Sequence, residues 1–282
     1  MTRKTDFVRW FSELGRADTA IVGGKNASLG EMVCHLRASG IRVPGGFATT
    51  AAAYWDFLKA NDLNARMAAK LGELRGDGRN LAATGRAVRK MILESEFPAP
   101  LAEAITRSYR EMTERSGHRV ASVAVRSSAT AEDLPEASFA GQLETFLNVR
   151  GDQALLAACK GCYASLFTDR AIVYRRNHGF EHMQVALSVG VQEMVRSDRA
   201  GAGVMFSIDT ESGFPGAVLL DAAWGLGETV VQGMIAPECS IVWNRRMAPQ
   251  TMRMGVSAVS SPSATAACTS TGRAPKYPSR MA

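Results

Sequence analysis

A change of hydrophobic period near residue 120 constrains the fold of this 282-residue chain more than any other feature. Before it, apolar side chains recur at helical spacing: Leu63, Met67 and Leu71, then Leu81, Val88, Met91 and Ile92, then Leu101, Ile105, Tyr109 and Met112. Each set forms one stripe of a helix, and such a stripe must be buried against another element. Pro98 and Pro100 separate the last two helices, since proline is accepted in a first turn but not in a helix interior. After residue 120, the stretches 120–126 and 139–149 read as strands, and 152–178 as helical. Val185, Leu187, Val189 and Val191 then alternate as a half-buried strand does. Two more strands are expected over 203–208 and 217–222, joined by the turn-rich 210–215. The expected class is α+β (mixed α/β), with a largely antiparallel sheet in its second half. A mainly helical first subdomain is expected over 1–118 and a sheet-containing second over 119–244.

The segment 23–50 reads as loop, helix, strand, loop. Leu29, Met32, Val33 and Leu36 have helical spacing, and Gly40 stands where a C-terminal cap would. Ser28 with Glu31 fits a capping box, which would start the helix just after Lys25. Val43 to Phe47 reads as a short edge or turn element, and Thr49 or Thr50 as the cap of a helix through Tyr54, Trp55 and Leu58.

Charge is distributed unevenly. The net +6 is accounted for by Arg245, Arg246, Arg253, Arg273, Lys276 and Arg280, in a stretch 245–282 with no acidic residue. The rest of the chain balances to zero, so the overall basicity gives no argument for nucleic acid. The stretch 245–282 lacks periodicity and is rich in Ser, Thr, Ala and Pro; it is expected to be a disordered tail, with translation out of frame as a sharper explanation. No apolar run approaches the roughly eighteen residues of a membrane span, and 1–10 carries no signal-peptide core, so no membrane partner and a cytoplasmic location are expected. The five cysteines are odd in number and scattered. Cys159 and Cys162 form a C-x-x-C without a second pair or a nearby histidine, and core packing is the simpler reading. His178 and His182 lack a third ligand and read as a solvated helix end.

Two familiar phosphate-binding patterns are absent. Gly24-Lys25 lacks the upstream glycine of a Walker A loop, and Gly225-Leu226-Gly227 does not continue into a dinucleotide fingerprint. Three other segments suggest anion binding. In 23–32 (GGKNASLGEM), glycines allow close backbone approach and Lys25 precedes a helix N-terminus. In 125–142, Arg126 ends a strand and leads into small hydroxyl residues, with Thr130 among them, and a glycine-containing hairpin at Gly141. That combination supplies a guanidinium fork and backbone donors for phosphate oxygens. In 191–195 (VQEMV), a strand end could pair with an adenine edge while Met194 or Val195 packs on the ring.

These segments, with 164–171 (ASLFTDRA), 203–213 (GVMFSIDTESG), 224–228 (WGLGE) and 231–233 (VQG), resemble the nucleotide-binding domain of the phosphoenolpyruvate synthase family. The likeness covers about residues 7–238; pyruvate phosphate dikinases and rifamycin phosphotransferases share the scaffold. It implies an ATP-grasp fold, incomplete at its C-terminal side, with ATP and Mg²⁺ between two subdomains. Lys25 and Arg126 would hold and polarise the phosphates, with Thr130 and the Gly141 hairpin closing over them. Gln192, Glu193, Met194 and Val195 would meet the adenine, and Glu228 would serve as a ribose or helix-cap residue. The family passes a phosphoryl group from ATP to a histidine on a separate domain, and from there to pyruvate on a barrel domain. This chain contains neither domain, nor the later acidic and Gln-x-Arg segment that brings the Mg²⁺ ligands. No metal ligand is therefore assigned, and turnover by this chain alone is not expected. The alternatives are a non-catalytic nucleotide-binding module or inactive truncated fragment, and a fragment of a rifamycin-type phosphotransferase.

Overall fold

A computed structural model describes residues 6–117, 119–130, 133–134, 137–138 and 143–243. The chain divides between Val195 and Arg196 into two compact units.

The first unit is built on a five-stranded sheet in the order β1 (Val8–Trp10), β2 (Gly46–Thr49), β7 (Leu187–Glu193), β3 (Val123–Ala129), β6 (Thr145–Val149). All four pairings are antiparallel, and a two-residue ladder joins β4 (Asp133–Leu134) to β5 (Ala137–Ser138). One rung crosses the whole sheet: Arg9, Ala48, Gly190, Arg126 and Thr145 are successive partners. Strand alternation sends Phe47, Val123, Val125, Val189 and Val191 to one face, where all are fully buried. There they join side chains of α2 (Ala51–Ala60), α3 (Leu63–Gly72), α4 (Leu81–Leu93), α5 (Ala99–Ser116), α6 (Asp152–Ser165) and α7 (Asp169–Asn177) in the main core. Removal of each large side chain from water stabilises this core by about 1.5–3 kcal/mol.

The opposite face receives α1 (Thr19–Leu36), whose Val22 and Ala27 pack with Phe11, Leu14 and Ala48 in a smaller cluster. α1 is interrupted: Gly23 has φ 73° and ψ 161°, outside the helical region, so a second helical segment begins after it. A β-carbon there would lie 2.3 Å from Ser128 Oγ, so both the conformation and the close approach require glycine. α1 continues through a 3-10 turn over 37–39 to Gly40 at φ 77°, where the Ile41 N–H donates to the Leu36 carbonyl, a left-handed cap as the sequence suggests.

Several elements depart from the sequence reading. The Ser28–Glu31 capping box is not formed, because the helix restarts at the Gly23 break; Glu31 Oε1 instead accepts from the Arg16 N–H at 3.0 Å. The segment 43–47 leads into β2, which is an interior strand because β1, unforeseen, covers its outer edge. The line expected between residues 118 and 119 runs through the first unit, whose sheet draws strands from both sides of it. Thr50 is the cap of α2, accepting from the Ala53 N–H at 3.2 Å. Cys159 and Cys162 are fully buried in the main core, as C-x-x-C core packing anticipates. His178 is exposed immediately after α7, but His182 is half-buried and accepts at 3.1 Å from Arg175 Nε, so only the first fits a solvated helix end.

The second unit is a three-stranded antiparallel sheet, β8 (Gly201–Phe206), β9 (Ala217–Trp224) and β10 (Glu238–Trp243), with a short helix α8 (Gly227–Val231). β9 contains the strand expected at 217–222, whereas β8 begins and ends two residues before the strand expected at 203–208. Among its described residues Ala217 is buried, whereas Met205, Trp224 and Ile241 are exposed.

Candidate nucleotide-binding site

The break in α1 and the rung through Arg126 build one site. Lys25 and Asn26 follow the break, on the face of α1 that lies over β3 and β7. Lys25, Asn26, Leu29, Arg126, Gly190, Gln192 and Phe11 surround a single small pocket. Lys25 and Arg126 are both exposed, whereas Asn26 between them is buried. Lys25 beside the restart of α1 and Arg126 on β3 form an electropositive corner suited to phosphate oxygens, which helix N-terminal N–H groups also favour.

Strand alternation decides where the other expected residues go. Gln192 points with Arg126 and Gly190 toward the α1 side, and its Nε2 donates to the Pro44 carbonyl at 3.2 Å. Glu193 borders a neighbouring cavity of about 180 Å³ with Trp10, Phe11, Gly45, Gly46 and Arg115. Phe11 borders both spaces, and the Arg115 guanidinium lies 4.3 Å from the Trp10 ring centre. The Glu193 N–H donates to the Gly45 carbonyl and the Met194 N–H to the Ser122 carbonyl, so both amides are engaged within the protein. Val195 is 63% exposed at the end of the unit.

Thr130 does not border the pocket. It lies four residues past Arg126 on the same chain, with its N–H and hydroxyl both donated to the Ala186 carbonyl, at 3.1 and 3.3 Å. Gly141 lies outside the described residues. Glu228 is exposed in the first turn of α8, in the second unit, where Gln232 Nε2 donates to its Oε1 at 2.9 Å. A wider cleft of about 690 Å³ beside α5 and the start of α6 holds none of the expected residues, and one of its arginines, Arg110, is paired with Asp152.

Reasoning from sequence missed Phe11, Asn26, Ser128, Ser188 and Gly190 as parts of the site. Asn26 and Ser128 stand within the segments singled out above, but only the register of β3 against β7 shows that they meet.

No group of three or more His, Cys, Asp or Glu side chains able to hold a metal exists among the described residues. No helix among them is long and apolar enough to cross a membrane.

Residues 19–271 match the family described as pyruvate phosphate dikinase, AMP/ATP-binding domain, and the chain belongs to that family. The match extends into the acid-free stretch that begins at Arg245.

Within the family, the chain is similar to proteins named phosphoenolpyruvate synthase. The one from Synechocystis sp. is 53% identical over 241 residues, 84% of this chain and 30% of its own length. Those from Pseudomonas aeruginosa and Escherichia coli are 54% and 53% identical over 83% and 82% of this chain, each over 29% of the relative. The chain thus spans just under a third of the length of these relatives.

Proposed function

We propose that this chain binds ATP and serves as the nucleotide-binding part of a phosphoenolpyruvate synthase-like phosphotransferase. The observation that carries the proposal is the convergence of Lys25 and Arg126 on one pocket at the break of α1. Lys25 offers a mobile ammonium and Arg126 a planar fork, two complementary ways to neutralise adjacent phosphates. Gln192, Glu193, Met194 and Val195 are the candidates for the nucleoside end. Gln192 enters the same pocket, while the Glu193 and Met194 amides already bond within the protein. Any hydrogen bonds those two residues make to adenine would therefore come from their carbonyl oxygens or side chains.

In this reading the fold is an ATP-grasp. Thr130 and Gly141 belong to a segment that closes over the phosphates, and Glu228 contributes to the ribose or caps α8. Mg²⁺, where it takes part, neutralises phosphate charge. The described residues supply cations and amides to the phosphates, not an acidic cluster for the metal. Phosphoryl transfer of this kind depends on positioning and charge neutralisation, and Lys25 and Arg126 supply both. The phosphoryl acceptor would be a histidine on a separate domain, with pyruvate on a barrel domain as the final acceptor, in the cytoplasm.

The test is to mix the purified chain with Mg-ATP and a separately expressed phosphohistidine domain and to follow AMP. AMP formation dependent on both components is the expected result. ATP binding without AMP would reduce the chain to a binding module, and absence of ATP binding would remove the proposal.

A further inference from the structure

We infer that Asn26 is a positioning residue, which clamps the break in α1 to the sheet and so fixes Lys25 beside Arg126. This rests on the reading that the pocket takes ATP phosphates.

Asparagine is ordinarily a surface residue, yet Asn26 is only 4% exposed. A buried carboxamide is tolerated only when its polar atoms are bonded. Here Nδ2 donates to the Val22 carbonyl at 3.1 Å and to Ser188 Oγ at 2.9 Å. The Asn26 main-chain N–H points at Ser128 Oγ at 3.4 Å, a long contact that completes the cap of the restarted helix. The Ser188 hydroxyl donates a hydrogen bond to the Thr49 carbonyl, and Thr49 Oγ1 accepts from the Val189 N–H at 3.0 Å. One side chain thus ties the residue before the break to the strand β7, and through Ser188 to β2, while its amide meets β3.

The surroundings are shaped to this side chain. Ser128 and Ser188 are direct partners across β3 and β7, and the next same-face pair is Arg126 with Gly190. A β-carbon on Gly190 would lie 2.2 Å from Asn26 Oδ1, so the carboxamide occupies the space left by the missing side chain. Lys25, the adjacent residue, is exposed and long. Its backbone is held only as firmly as the break is held, and loss of the clamp would leave the two cations without a fixed separation. Their effect on a triphosphate would then fall, because the entropy of positioning would have to be supplied on binding.

The test compares ATP and adenosine affinities of the full chain by calorimetry for wild type, Asn26→Ala, Ser188→Ala and Lys25→Ala. Ser188→Ala keeps Asn26 and removes one small hydroxyl, so it reports even where Asn26→Ala fails to fold. The expected result is a loss of about tenfold in ATP affinity for the clamp variants, the scale of one phosphate hydrogen bond, with adenosine affinity unchanged. An equal loss for ATP and adenosine, or unchanged ATP affinity in Ser188→Ala, would overturn the positioning role. Wild-type chain that binds ATP no better than Lys25→Ala does would instead remove the underlying reading, and this inference with it.

Discussion

Arg126 of β3 and Gly190 of β7 are direct partners in the sheet, and the absence of a side chain at Gly190 leaves the space that Asn26 fills in the same pocket. Addition of one methyl group is therefore a sensitive probe. In Gly190→Ala the new β-carbon would sit 2.2 Å from Asn26 Oδ1, and Asn26 can retreat only by giving up its bonds to Val22 and Ser188. Overpacking of this kind costs about 1–3 kcal/mol. Thermal unfolding should show a melting temperature lower by about 2–4 °C for each kcal/mol. An unchanged melting temperature would mean that the clamp yields freely.

Most of the element inventory was legible in the sequence, because helical stripes and strand alternation are local signals. Val185 to Val191 announced β7, and the apolar repeats of 63–112 announced α3, α4 and α5. What was not legible depends on tertiary register. Nothing local marks β1 as the strand that covers β2, and Ser28 with Glu31 satisfies a capping pattern that the chain does not use. The actual break at Gly23 is set by contact with Ser128, more than a hundred residues away. Lys25, Arg126 and Gln192, which line one pocket, were recognisable as candidates by chemistry and by family likeness, whereas Asn26 and Ser188 become visible only when β3 and β7 are paired.

Burial and the nearby Arg175 and Arg176 push the His182 imidazole down to about 4 from its usual 6.5, which favours the neutral ring that accepts from Arg175 Nε. In the unfolded chain this histidine takes up its proton near pH 6.5, whereas the folded chain resists until about pH 4. The unfolded state therefore binds more protons in that window, and stability from this residue is lost as pH falls from 6.5 through 4. Urea midpoints measured across that range should decline in wild type. His182→Gln, which retains an acceptor without a titrating ring, should decline less. Parallel slopes in the two proteins would contradict the assignment.

Burial pushes the Cys159 thiol up to about 12, and raises the Cys162 thiol well above its usual value. Alkylation requires the thiolate and access to it. Brief exposure of the native chain to iodoacetamide should label Cys34 and Cys239, which are exposed, and spare Cys159 and Cys162 until denaturant is added. Peptide mass mapping reads this directly, and rapid native labelling of Cys159 or Cys162 would show that the core between α6 and the sheet opens.

In the proposed function, Lys25 and Arg126 together hold the phosphates of ATP. Calorimetric titration of the full chain with ATP and with adenosine, in wild type, Lys25→Ala and Arg126→Ala, tests it most directly. Both side chains are exposed, so each variant should keep the wild-type melting temperature without ligand. Loss of a charged hydrogen-bond partner is expected to cost about 1.5–3 kcal/mol, or roughly 10- to 150-fold in ATP affinity, with adenosine affinity retained. ATP affinity equal to wild type in both variants would contradict a phosphate-binding role for Lys25 and Arg126.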